Sequence, residues 1–313
     1  MNWMVFPESV RIAFWVMGAL LVVASLVSVA LVKLRPERDY RELRLRIKTW
    51  WWISGVFALS VLFNRTVSVL VFGLVSFLAF KEYLSLIPTR RADHRVLFWA
   101  YLAVPMQYYW VWTAWYGTFI IFIPVYMLLF LPMRMVLIGE TQGFLRAVGT
   151  VHWGLMITVF SLSHMAYLLV LPTENNPAGG SAGLLVYLVF LTEINDVSQY
   201  IWGKAYGKRK IIPKVSPGKT VAGFGGGVLT TALLAVLLAP FLSPLSIYEA
   251  AGAGLLIGLA GFIGDVTVSA LKRDLGVKDS GTILPGHGGI LDRLDSLTYT
   301  APLFFHYVYY LHY

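Results

Sequence analysis

The feature that most constrains this chain is a series of long apolar runs. The first, Ile12 to Val32, holds 21 residues without a charge. At about 1.5 Å per residue, a run of that length crosses the roughly 30 Å hydrocarbon core of a bilayer. It has no basic leader and no Ala-x-Ala-like cleavage site, so it reads as a retained helix rather than a signal peptide. Further runs follow at about 50–63, 66–80, 96–112, 118–133, 151–171, 180–194, 221–243, 250–271 and 296–312. Composition agrees, because only 13% of the 313 residues are charged, against about 25% in soluble domains. Such a chain cannot cover a globule with polar surface and is too apolar for disorder. The expected fold is all-α, a polytopic integral membrane protein of about nine to ten transmembrane helices. The chain has no cysteine, which excludes disulfides, thiolate metal sites and a cysteine nucleophile.

The cations set the expected sidedness. Runs 50–63 and 66–80 are separated only by Asn64 and Arg65, which suits a helical hairpin, a re-entrant segment or one broken helix. Read as a hairpin, they put loops 33–49, 81–95, 134–150, 195–220 and 272–293 on one face. Those loops carry 23 of the 25 Lys and Arg residues. The positive-inside rule makes that face cytoplasmic and both termini external; a bacterial inner membrane is the expected location. The net charge of +9 then reflects topology and contact with anionic membrane lipids, not nucleic acid. Arg35 to Lys48 mixes both signs and reads as an interfacial helix or as a solvated loop. The chain divides into residues 1–190, spans joined by short loops, and 191–313, where polar chemistry concentrates.

Asp265 lies seven residues inside the apolar run that ends at Lys272. An ionisable group roughly 10 Å deep is costly and marks a functional or paired residue. Ser269 and Lys272 follow it at helical spacing on the same face. Downstream, Asp292 and Asp295 sit one turn apart at the start of the last run, where acids also suit a helix N-terminus. With Asp265 they would give three carboxylates around one crevice, a hard oxygen set suited to Mg²⁺ held together with phosphate. His287, between Gly286 and Gly288, serves as a phosphate donor or as a turn residue. A second segment, Ser216-Pro217-Gly218-Lys219-Thr220, leads into the glycines Gly223 to Gly227. A Gly-rich turn with Lys and Thr before a helix suits phosphate binding, while the glycines alone suit close helix packing.

The stretch Ser269, Lys272-Arg273, Lys278-Asp279, Pro285, His287-Gly288-Gly289, Asp292-Arg293, Asp295 resembles the signature of the phosphatidate cytidylyltransferase (CDP-diacylglycerol synthase) family. Asp196 with Tyr200, Gly203 and Gly207, and Ser216-Pro217 with Lys219-Thr220, agree with it, over about residues 193–297. The resemblance implies transfer of CMP from CTP to phosphatidic acid, releasing pyrophosphate, for phospholipid synthesis. It implies metal ligation by Asp265 and Asp292, with Asp295 and Asp196 as further ligands of Mg²⁺ and of a second, monovalent or divalent, cation. Lys219, Lys272 and Arg273 are then expected to contact phosphates. Ser216, Pro217, Thr220, Lys278, His287, Gly288 and Arg293 are expected to bind substrate. It also implies a homodimer. One departure is Ala222, where the family often has an acid or amide. That leaves a paralogue using another lipid phosphate acceptor, or a non-catalytic lipid-binding membrane protein, as alternatives. A transporter would place its charges near the midplane of two repeated halves, and neither feature is present in this sequence.

Overall fold

The computed structural model describes residues 6–35, 37, 39–88, 90, 94–286 and 288–313. Every apolar run of the sequence becomes helix. In chain order these are α1 (Glu8–Leu34), α2 (Arg41–Leu62), α3 (Arg65–Leu86), α4 (His94–Trp112), α5 (Tyr116–Ile121), α6 (Leu128–Val136), α7 (Phe144–Leu155), α8 (Ser161–Leu168), α9 (Gly180–Tyr206), α10 (Val221–Leu242), α11 (Ile247–Asp274), α12 (Leu291–Leu294) and α13 (Leu297–His312). The pairs α5–α6 and α7–α8 are each one rod joined by a π-helical turn, Phe122–Met127 and Met156–Phe160. The first of these turns contains Pro124, whose missing N–H breaks the regular ladder. Among the described residues the only β-pairings are two isolated bridges. The protein is an all-α polytopic membrane protein.

Among the described residues seven of these rods are long and apolar enough to cross a membrane: α1, α3, α5–α6, α7–α8, α9, α10 and α11. Expectation ran to nine or ten. The three remaining runs also form helices, but α2 opens on charges, α4 is rich in Tyr and Trp, and α13 has 16 residues.

One local expectation changes and one is narrowed. Arg41 to Lys48 is not a separate interfacial helix; it forms the first two turns of α2, continuous with the apolar part. Its exposed Arg46–Glu42 pair follows the i, i+4 spacing of one helix. The residues 50–80 are two helices, not one broken one, because Asn64 caps α3 by accepting from the Val67 amide at 3.0 Å. The division at residue 190 falls within α9, which runs unbroken through it.

Packing differs between the halves. In the first, large rings fill the core: Phe80, Tyr83 and Phe119 are fully buried. In the second, small residues let backbones approach, as expected where water supplies no drive for helix association. Along α11, Gly254 faces Ala232 and Gly258 faces Val228 of α10. One turn further Gly261 meets Asn195 of α9, and Gly264 meets the backbone of Asp295 and Ser296. A β-carbon on Gly264 would stand 2.5 Å from the Asp295 carbonyl. This approach brings the start of the last helix against the middle acid of α11.

Candidate active site

Polar residues gather where the end of α9, the starts of α10 and α13, and the end of α11 meet. The loop between α9 and α10 doubles back on itself. The Ile211 amide donates to the Lys219 carbonyl (3.1 Å) and the Val221 amide to that of Arg209 (2.9 Å). Thr220 then caps α10, its hydroxyl accepting from the Gly223 amide at 3.1 Å. Cap and bridge together aim Lys219 inward. Its ammonium stands 2.5 Å from Asp265 Oδ2 and donates to Gln199 Oε1 at 3.0 Å. The two charged side chains are 16% and 22% exposed, so each is the other's main compensation for lost water. Ser269, one turn along α11, donates to Asp265 Oδ1 at 3.2 Å.

Asp196 and Asp295 face this pair. Asp196 Oδ2 accepts from the Ser296 hydroxyl at 2.7 Å, and its buried Oδ1 has no hydrogen-bond partner. Asp295 Oδ1 accepts from the Ser296 amide at 2.8 Å. Burial pushes the Asp295 carboxyl well above its ordinary range, and the nearby Asp265 and Asp196 push it further. The three carboxylates are near enough to repel one another, and Asp196 has an unsatisfied buried oxygen, the chemistry that a hard cation takes, although their oxygens do not converge on one point.

Asp292 is held differently. Its Oδ1 receives Lys272 Nζ at 2.6 Å, and its Oδ2 accepts from the amides of Ser280 (2.8 Å) and Gly289 (2.9 Å). Gly288 makes this possible, since at φ +83° a β-carbon there would sit 2.5 Å from Oδ2. Burial alone would raise the Asp292 carboxyl, but the bonds from Lys272, Gly289 and Ser280 outweigh it and hold it below the usual range. Among the described residues no three acidic or histidine side chains converge on one point. Lys219 and Lys272 stand against two of the acids.

The other expected residues divide. Arg273 is exposed and ties two loops, donating to the carbonyls of Val215 (3.3 Å) and Val277 (3.4 Å). Pro217 and Lys278 are exposed on the same loops, Ser216 is half-buried beside them, and Arg293 is exposed on α12. His287 falls outside the described residues. The glycines are mainly packing residues: a β-carbon on Gly223 would meet the Gln199 carbonyl at 2.6 Å, and one on Gly227 would meet the Gln199 side chain at 2.4 Å. Only Gly225 of that cluster faces open space.

Sequence reasoning missed two residues. Gln199 shares Lys219 with Asp265, and Glu82 of α3 is buried against the loop that precedes α12. Glu82 was visible as an acid within LVSFLAFKEYLSL, but residues 1–190 were read as spans with little polar chemistry.

Comparison with known proteins gives two kinds of match. The model of the cytidylyltransferase family matches residues 44–311. The chain is 47% identical over 292 residues to the uncharacterized protein YnbB of Escherichia coli (strain K12), covering 93% of this chain and 96% of that protein. It is 45% identical over 137 residues to a phosphatidate cytidylyltransferase of Synechocystis, which is 43% of this chain and 45% of the relative. To that of Staphylococcus aureus (strain COL) it is 40% identical over 120 residues, 38% of this chain and 46% of the relative. The matched part thus spans less than half of each of these two enzymes.

Proposed function

The chain belongs to the cytidylyltransferase family, and on that premise we propose that it transfers CMP from CTP to phosphatidic acid. A phosphate oxygen of the lipid forms a bond to the α-phosphorus of CTP. The bond from that phosphorus to the bridging oxygen breaks, and pyrophosphate leaves with its electron pair. The products are CDP-diacylglycerol and pyrophosphate. The observation that carries this reading is the meeting of Lys219, Asp265, Asp196 and Asp295 with the Lys272–Asp292 pair at one end of the helices.

The chemistry asked of these residues follows from charge. Both reactants are anions, so the protein must neutralise them and orient the attack. Lys219 and Lys272, released from their carboxylate partners, would contact the phosphates, with Arg273 and Lys278 on the accessible side of the site. Thr220 is the N-cap of α10, where amides favour a phosphate, and Ser216 lies in the loop that leads to it. The nucleophilic phosphate is already ionised, so no general base is required, and the site offers no histidine in that role among the described residues. Asp196, Asp265 and Asp295 would hold Mg²⁺, and a second cation, with Asp292 joining once Lys272 turns to substrate. Mg²⁺ bound there would supply charge neutralisation for the triphosphate and the leaving pyrophosphate. With the basic loops cytoplasmic, the site opens to the compartment that holds CTP.

One observation favours a second reading within the same chemistry. Ala222 stands where relatives of the signature often carry an acid or amide, which suits a different lipid phosphate as acceptor. The deciding experiment is pyrophosphate release by purified, detergent-solubilised protein given CTP, Mg²⁺ and phosphatidic acid. Release that depends on the lipid and yields a CDP-lipid supports the reading. Absence of release with phosphatidic acid, but release with another lipid phosphate, moves the assignment to that acceptor.

A further inference from the structure

We infer that Glu82, on α3 and far from the signature in sequence, is a positioning residue for the reaction proposed above, on which this inference rests. Its side chain is buried, 5% exposed, and among the described residues no lysine or arginine forms an ion pair with it. An ionised carboxylate in such a place needs hydrogen bonds to replace water. Among the described residues its carboxylate accepts only from the loop before α12 and from the first residue of that helix. Oε1 takes the Ser280 hydroxyl at 2.5 Å and the Leu291 amide at 3.0 Å; Oε2 takes the Ile290 amide at 2.9 Å.

The same loop is bound from its other side by Asp292, through the amides of Ser280 and Gly289. Ser280 therefore lies between two carboxylates, giving its hydroxyl to Glu82 and its amide to Asp292. Asp292 in turn holds Lys272. Glu82 thus reaches Lys272 through the loop backbone and Asp292, without touching the site. The fit is tight: a β-carbon on Gly289 would stand 2.1 Å from Glu82 Oε1 and 2.4 Å from Ser280 Oγ. A glutamine at position 82 keeps the volume but turns one acceptor into an NH₂ group facing the Ile290 or Leu291 amide, donor against donor. Alternative explanations fit less well. A residue serving only to pack α3 would be apolar, and one serving catalysis directly would be open to the reactants.

The test compares the full-length protein in detergent with Glu82→Gln and with Lys81→Gln, an exposed neighbour on the same helix. Hydrogen exchange is followed in segment 280–292 and in α9 to α11, and initial rates are measured against CTP. For Glu82→Gln the expected result is exchange about tenfold or more faster in the loop, with the α9–α11 helices unchanged. Its kcat is expected to fall by about tenfold or more while KM for CTP stays within about threefold, since Lys219 and the acids of α9 and α11 keep their places without the loop. Lys81→Gln should match the parent on both readouts. Unchanged loop exchange in Glu82→Gln overturns the inference, and so does loss of protection across α9 to α11, which would make the residue merely structural. A fall in nucleotide affinity with kcat preserved also overturns it. If the parent protein itself turns over no lipid phosphate, the enzymatic reading fails and the exchange result alone decides whether Glu82 fixes the loop.

Discussion

Lys219 Nζ stands 2.5 Å from Asp265 Oδ2, although one residue comes from a loop and the other from the interior of α11. The pair joins the two motif segments that a reading of the chain finds separately. Because Gln199 of α9 accepts from the same ammonium, three elements meet at one charge. Substituting Lys219→Met should lower kcat by about 10² to 10³, the loss typical of removing one electrostatic donor from a transition state. Pyrophosphate release at saturating CTP measures it, and a parental rate would remove Lys219 from the site.

The acids of the two ion pairs should respond differently. Asp265→Asn and Asp292→Asn are both expected to abolish turnover. Asp292→Asn should also destabilise the fold by about 3 kcal/mol, because Lys272, 12% exposed, would be left without its partner, whereas Lys219 keeps Gln199 as an acceptor in Asp265→Asn. Melting in detergent separates the two variants, and activity retained in both would refute the assignment of either acid to the reaction.

Acidification should release the signature loop late. The Asp292 carboxyl is held below its usual range by Lys272, Gly289 and Ser280 against the effect of burial. A carboxyl depressed in the folded state stabilises fully above its unfolded value of about 4 and loses that contribution as pH falls through the lower folded value. Protection of the Ser280 and Gly289 amides should therefore persist from neutral pH down to about pH 4 and decline below it. Exchange measured across that window checks the sign; loss of protection already near pH 6 would contradict it.

Two glycine substitutions test packing against phosphate binding. Gly289→Ala forces a β-carbon onto Glu82 and Ser280 and should cost about 1–3 kcal/mol with loss of turnover. Gly225→Ala meets nothing within 4 Å, and it should leave stability unchanged or raise it by up to about 1 kcal/mol. A rise in KM for CTP in Gly225→Ala at unchanged stability would place that face against the nucleotide.

Chelation provides the test of the cation. Treatment with EDTA should abolish turnover, and Mg²⁺ should restore it in the parent but not in Asp265→Asn. Turnover that survives exhaustive chelation would separate the carboxylates from metal binding.

The sequence by itself determined the fold class and the region of the chemistry. Hydrophobic length is a local property, so Ile12–Val32 and its successors declare helices wherever they later pack. Depth is local too, which is why Asp265 stood out, with Ser269 one turn away on the same face. Tertiary structure alone decided the partners. Lys272 shares a helix face with Asp265, yet its ammonium goes to Asp292 and leaves Asp265 to Lys219. Glu82 looked like one acid in an apolar run until α3 met the loop before α12. Charges in a low-dielectric interior are stabilised by whatever donors folding brings within reach, and that choice depends on which helices touch rather than on any spacing along the chain.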